Sequence, residues 1–255
     1  GLQHEDGHSL LLASAFPNVR AYDPAFAYEM AFVVDDGISR MYGPEAEDCI
    51  YYLTLYNENY PMPPLPAEPG TEEGIMRGLY RWATAPEVQG PQATLLFSGS
   101  ANLAAREAAK DLAEHFGVGV ELWSATSYKR LREEALEVER WNRLHPGAAR
   151  RVPVVTQLLG GSSSPVVAVT DFMKAVPEQV ARFVSGRRFV PLGTDGMGRS
   201  DTREALRHHF EVDAGHVVVA VLSALLDDGL ASADEVRDAM ERHGIDPEAI
   251  DPLLA

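Results

Sequence analysis

Apolar residues recur at two different periods along this chain, and each change of period marks an element. Phe26, Met30, Val33, Val34, Ile38 and Met41 return at helical spacing and predict one apolar helix face. Asp23-Pro24 reads as the start of that helix, because Pro is tolerated at the first helical position, and Gly43-Pro44 as its stop. Residues 18–22 and 49–55, rich in β-branched and aromatic side chains, read as strands. Pro61, Pro63, Pro64, Pro66 and Pro69 exclude a helix interior or central strand, so 60–70 is an extended crossing. A short helix is expected over 73–83, then a second break over 86–91.

From residue 92 onward strands and helices alternate. Strands are expected at 94–97, 118–123, 165–170 and 189–192, and helices at 103–116, 127–139, 175–183, 201–210, 214–227 and 233–242. Gly117 is the natural end of the first of these helices. Residues 152–159 fit either a strand or an extended arm. Such alternation predicts an α/β domain with helices on both faces of a mostly parallel sheet. The apolar run 217–226 is about half of the roughly 20 residues that span a bilayer, so it reads as a buried helix. No internal repeat is present.

The 255 residues suffice for one large or two small domains of roughly 100–200 residues. Lys and Arg number 22 against 38 Asp and Glu, a net charge of −16. That balance argues against a broad nucleic-acid or anionic-membrane surface, which needs a basic stripe. It leaves room for a local anion site made by backbone amides. Cys49 is the single cysteine, which excludes an intramolecular disulfide or a cysteine metal cluster and fits a reducing cytoplasm. The start Gly-Leu-Gln-His carries no initiator Met and no secretory leader, so a piece of a longer protein is expected.

Candidate chemistry is sparse. His4 and His8 stand four apart with Glu5 and Asp6 between them, but Gly7 argues against the rigid helix that a metal pair at this spacing requires. The stretch is then a polar loop, or a loop whose imidazole serves as acid, base or oxyanion donor. Gly193, Gly196 and Gly198 follow a strand and lead into a helix, with Asp201 as expected N-cap and Glu204 as its capping-box partner. This loop could cradle an anion, yet its spacing is neither a P-loop nor G-x-G-x-x-G, and a plain strand-to-helix turn at an interface fits equally. Residues 56–60 close a strand at the end where α/β ligands, or merely solvent, are met. The charges of helix 127–139 read as a solvated face, Trp123, Tyr128 and Trp141 as packing, and His208 and His209 as mixed packing and exposure. There is no G-x-S-x-G, no H-E-x-x-H and no G-D-G followed by about thirty residues and Asn.

The strings GLQHEDGHS (1–9), AYDPAFAYE (21–29), YYLTLYNENYPMP (51–63), WSATSYKRLREEALEVERWNRLHP (123–146), VPVVTQLL (152–159), TDFMKAVPEQV (170–180) and LGTDGMGRSDTREALRHHFEVD (192–213) resemble one family. It is the homodimeric, bacterial type of pyruvate dehydrogenase, the thiamine-diphosphate-dependent decarboxylating component. The resemblance implies an α/β fold in two parts. Residues 1–86 would be the C-terminal part of a middle, pyrimidine-binding domain. Residues 87–255 would be a transketolase-like C-terminal domain, three-layer α/β/α with a mostly parallel mixed sheet. It implies that His4 is catalytic beside the cofactor and substrate, with Glu5, Asp6 and His8 supporting its loop. Thiamine diphosphate and Mg2+ would be held by segments absent from this chain, as would the glutamate that activates the cofactor. Implied partners are the missing N-terminal domains, a second copy in a homodimer and the lipoyl acyltransferase of the complex, in the cytoplasm, without nucleic acid or membrane. The chain alone is then expected to be inactive. The alternative is a non-catalytic binding or assembly subunit of a split enzyme, or a relative acting on another 2-oxo acid. Met197 and Phe172 stand where the family has Phe and Tyr, conservative departures.

Overall fold

The computed structural model describes residues 6–255, so His4 and Glu5 lie outside the described residues. α1 (Ser9–Ala13) leads into β1 (Val19–Tyr22), α2 (Ala27–Tyr42) and β2 (Ile50–Leu53). β1 and β2 pair in parallel, Val19 opposite Ile50 and Tyr22 opposite Leu53. After the proline-rich crossing come α3 (Thr71–Arg77), β3 (Tyr80–Ala83), β4 (Gln92–Phe97), α4 (Asn102–Phe116), β5 (Gly119–Ser124) and α5 (Tyr128–Leu144). Then follow α6 (Val154–Leu159), β6 (Val166–Val169), α7 (Ala175–Ala181), β7 (Phe189–Leu192), α8 (Arg203–His209), α9 (Ala214–Asp227) and α10 (Ala233–His243).

The second sheet has the order β3-β5-β4-β6-β7. Four strands are parallel, and β3 joins the edge antiparallel to β5. β3 thus completes this sheet although it precedes the break at 86–91. The period of two sorts the strand side chains between layers. Ala93, Leu95 and Phe97 of β4 face α4 and α9, while Leu96 faces the layer of α5 and α7. Val166, Val167, Ala168 and Val169 are all fully buried, as a central parallel strand covered on both faces requires. By length and composition 203–227 could cross a bilayer, but Val217, Val218, Val221, Leu222 and Leu225 are enclosed in the core, which makes α9 a core helix.

Five expectations change. The helix expected over 73–83 ends at Gly78, whose φ is +107° and where a Cβ would stand 2.4 Å from the Ser127 carbonyl oxygen. The chain reverses there, and the aromatic residues beyond become β3. Residues 154–159 are helical, not extended, the Val154 N–H donating to Glu134 at 2.9 Å in place of an absent helical partner. α2 begins at Ala27 rather than at Asp23-Pro24, because Glu29 reaches back to the N–H groups of Ala25 and Phe26. Only part of its expected apolar face is inside: Val33 is buried, whereas Val34 and Ile38 are exposed. Thr202, not Asp201, caps α8, its hydroxyl accepting the Ala205 N–H at 3.2 Å.

Glu29 ties the two parts together. Its side chain has no solvent exposure. Oε2 accepts from the Ala25 N–H at 2.5 Å and the Phe26 N–H at 3.1 Å, while Oε1 accepts the hydroxyls of Tyr80 and Ser124, each at 2.6 Å. Burial raises its pKa, against the pull of these hydrogen bonds. Around it the Ser127 hydroxyl donates to the Ala21 carbonyl at 2.5 Å, and the Asp23 N–H to the Thr126 carbonyl at 2.8 Å. Glu29→Ala would strand buried donors in a closed space. An unfolding titration in urea is expected to show a loss of about 3 kcal/mol or more. Glu29→Gln keeps an acceptor and offers donors to two hydroxyls that can reverse their roles, so its loss should be about 1 kcal/mol.

Candidate active-site cleft

Parallel strands deliver their loops to one end of the sheet, and a ligand is usually met there. In this fold the loops after β2, β4, β6 and β7 meet α8 around a cleft of about 500 Å³. Tyr56, Asn57 and Glu58 come from the first loop, Ser100 from the second, Asp171 from the third, and Thr194 with 198–201 from the fourth. α8 adds Arg203, Leu206 and Arg207, and Asp6 and Gly7 form the remaining wall.

The charges are paired across elements. Arg207 grips Glu58 at both carboxylate oxygens, at 3.1 and 2.5 Å. That contact holds the Glu58 carboxyl below its usual range, against partial burial. Arg203 donates to the Asn57 carbonyl. Asp171 is deeply enclosed and accepts the Ser100 hydroxyl, its burial raising its pKa against that bond and the Arg207 charge. The Thr194 hydroxyl donates to the Asp171 carbonyl at 2.7 Å, fastening the β7 loop to the β6 loop. Gly193 passes so close that a Cβ would stand 2.3 Å from the Phe172 carbonyl oxygen.

Below the cleft floor lies Asp23. Its Oδ1 accepts the hydroxyls of Thr54 at 2.5 Å and Tyr56 at 2.6 Å. Its Oδ2 has no hydrogen-bond partner among the described residues. Burial pushes its pKa from 3.8 up to about 6, despite the nearby Ser98 hydroxyl and the hydrogen bonds from Thr54 and Tyr56.

The two stretches that the sequence marks, 56–60 and 193–204, are brought together in one wall each. Asp6 lines the cleft and also accepts the Ser9 N–H and hydroxyl, at 3.0 and 2.6 Å. Its carboxylate orders the start of α1. Gly7 is bound to the β6 loop through its carbonyl, which accepts the Met173 N–H at 3.0 Å. His8 is exposed at the α1 N-terminus and is not among the residues lining the cleft. His4 and Glu5 lie outside the described residues. Ser100, Asp171 and Asp23 escape the sequence reading, their one signal being a polar residue within three positions of the end of an apolar strand run. With no His among the described lining residues, the cleft offers polar and charged groups for hydrogen bonding but presents no group that titrates near neutrality unperturbed. A larger groove of about 720 Å³ lies between α3 and α6, but its cations are engaged: Arg81 with Glu68, Arg77 with Glu73, and Arg187 with the carbonyls of Leu159 and Ser164.

Asp23 predicts a pH effect. A carboxyl whose folded pKa is raised binds its proton more tightly when folded. Its stabilising contribution is whole below pH 3.8 and lost as pH rises through about 6. Relative to wild type, Asp23→Asn should flatten the fall of melting temperature over that window. The difference corresponds to about 2–3 kcal/mol, followed by thermal denaturation at several pH values.

Residues 1–63 match the family model of the pyruvate dehydrogenase E1 component middle domain, and residues 78–213 match that of the transketolase-like C-terminal domain. The pyruvate dehydrogenase E1 component of Pseudomonas aeruginosa is 47% identical over 253 residues, which is 99% of this chain and 28% of that protein. The chain therefore spans little more than a quarter of such a relative's length. Among solved structures, transketolase from Leishmania mexicana superposes with a TM-score of 0.61 at 18% identity, over 91% of this chain and 29% of that one. A split-gene transketolase described as an inactive β4 tetramer gives 0.58 at 21% identity, over 89% and 64%.

Proposed function

Because the chain belongs to the transketolase-like C-terminal domain family, with the end of a pyruvate dehydrogenase E1 middle domain ahead of it, we propose that it is the C-terminal part of a pyruvate-decarboxylating enzyme. The whole reaction would be decarboxylation of pyruvate with transfer of the acetyl group to a lipoyl group of a partner acyltransferase. The parent would be a cytoplasmic homodimer. The observation that carries this reading is the likeness to the E1 component along 99% of the chain at 47% identity. The lone parallel pair β1–β2 supports it, since parallel strands are ordinarily covered on both faces. Val34, Ile38 and Tyr42, four residues apart on α2, stand exposed with Ile50 of β2, an apolar surface suited to further domains of the same enzyme.

This family uses thiamine diphosphate, which supplies the carbanion chemistry that decarboxylation needs. The described residues do not fit its diphosphate and Mg2+. Of the cleft acids, Glu58 is committed to Arg207, Asp171 to the Ser100 hydroxyl, Asp6 to Ser9 and Asp201 to the Thr202 N–H, and no G-D-G segment is present. That site, with the activating glutamate, is assigned to other segments, and no step is derived through it. The role proposed for this chain is to present His4 to the substrate. Gly7, three residues beyond His4, is already part of the cleft wall. The imidazole would donate a hydrogen bond or proton to the carbonyl oxygen of the 2-oxo acid, then assist transfer to the lipoyl sulfur. Asp6 is tied to the start of α1 and Gly7 to the β6 loop.

Catalysis by positioned groups fails without the groups that position them. The isolated chain with thiamine diphosphate, Mg2+ and pyruvate is therefore expected to release no CO2 above a protein-free control, and turnover would sink the proposal. In the complete enzyme, His4→Ala should lower acetyl transfer to lipoyl by about 10²–10⁴-fold. Stable association with a separately encoded N-terminal chain, with activity restored, would identify a split enzyme instead.

A further inference from the structure

The turn from α8 to α9 gathers three metal-ligating side chains that the cleft does not use. Glu211 in this turn has φ +59°, the one positive value outside glycine among the described residues. It folds the end of α8 back on the start of α9, so that His208 meets Asp213. His208 Nδ1 lies 2.8 Å from Asp213 Oδ2, and His216 Nδ1 lies 2.7 Å from Asp213 Oδ1. The three ligand atoms all fall within 4.8 Å of one another, and the two imidazoles meet edge to face with centroids 5.0 Å apart.

From this geometry we propose that His208, Asp213 and His216 form a binding site for a divalent transition metal of the zinc class. Two imidazole nitrogens and one carboxylate oxygen are a borderline donor set of the kind zinc takes, whereas Mg2+ and Ca2+ prefer oxygen throughout. To bind, the two imidazoles move their protons to Nε2 and turn Nδ1 from donor to ligand. Asp213 is ready for this role. Its Oδ1 also accepts the His216 N–H at 2.9 Å, which fixes the carboxylate as the α9 cap before any ion arrives. His208 is 48% exposed in its side chain, leaving an entry path and an outer position for water. The net charge of −16 favours arrival of a cation.

The site is joined to the cleft through α8. His208 follows Arg207, which grips Glu58, and the same helix carries Arg203 against Asn57. A metal there would pin α8 to α9 and with it the cleft wall.

The test is titration of the metal-stripped chain with Co2+, followed by visible absorption and by competition with Zn2+. One saturable site per chain is expected, displaced by Zn2+, with a higher melting temperature when loaded. His208→Gln, an exposed position, should weaken binding at least tenfold while leaving the metal-free melting temperature nearly unchanged. His216→Gln should do the same to binding. His115→Gln, on the separate Asp111–His115 contact of α4, should bind as wild type. Unchanged affinity in His208→Gln, or no saturable binding by the wild-type chain, overturns the proposal.

Discussion

A fully enclosed carboxylate holds this molecule together. Glu29 sits where three pieces of chain converge: the entry to α2, the edge strand β3 and the end of β5. Its two oxygens face only donors, so each partner is satisfied only while the others are in place. A low dielectric strengthens every one of those bonds and makes a missing one expensive. The contact between the N-terminal pair and the five-stranded sheet is therefore a specific polar lock, not merely a greasy face. Phe26, three residues before Glu29, carries the apolar part of the same junction, stacked against Trp82 at 5.8 Å and edge-on to Phe97 at 6.0 Å.

Much of the fold was legible because its elements keep clean periods. The runs at 94–97 and 166–169 are short, largely apolar and bounded by turn residues, and they become the central strands. Gly117 ends α4 as expected, with φ +63°. Where reading failed, a local signal was overridden by tertiary contact. The apolar spacing of 73–83 continues through Gly78, so nothing in the pattern betrays a reversal that depends on the backbone of Ser127. Residues 152–159 are rich in Val, which favours a strand, but Glu134 on a neighbouring helix supplies the missing acceptor.

The cleft was half legible for the same reason. Its marked stretches, 56–60 and 193–204, have no sequence relation to one another; strand order alone brings them face to face. Ser100 and Asp171 are ordinary polar residues until β4 and β6 become neighbours, since only then do their side chains meet. The likeness to known sequences singles out His4, which pattern alone leaves as either a polar loop or a functional imidazole, and which lies outside the described residues. His208, Asp213 and His216 carry no motif either, because their meeting depends on one backbone torsion at Glu211.

The strand order has a consequence for how the chain is made. β3 is synthesised before β4, yet its only neighbour is β5, and Tyr80 finds its register partner at Ser124. While the nascent chain emerges from the ribosome, Tyr80 and Trp82 must wait for about the next forty residues with their aromatic faces in water. The prolines between 61 and 69 sit just upstream of that waiting segment. Proline cannot donate to a ladder, so those positions offer no N–H to a strand edge. The proline-rich crossing is thus a poor template for a strand edge as well as the link between β2 and α3.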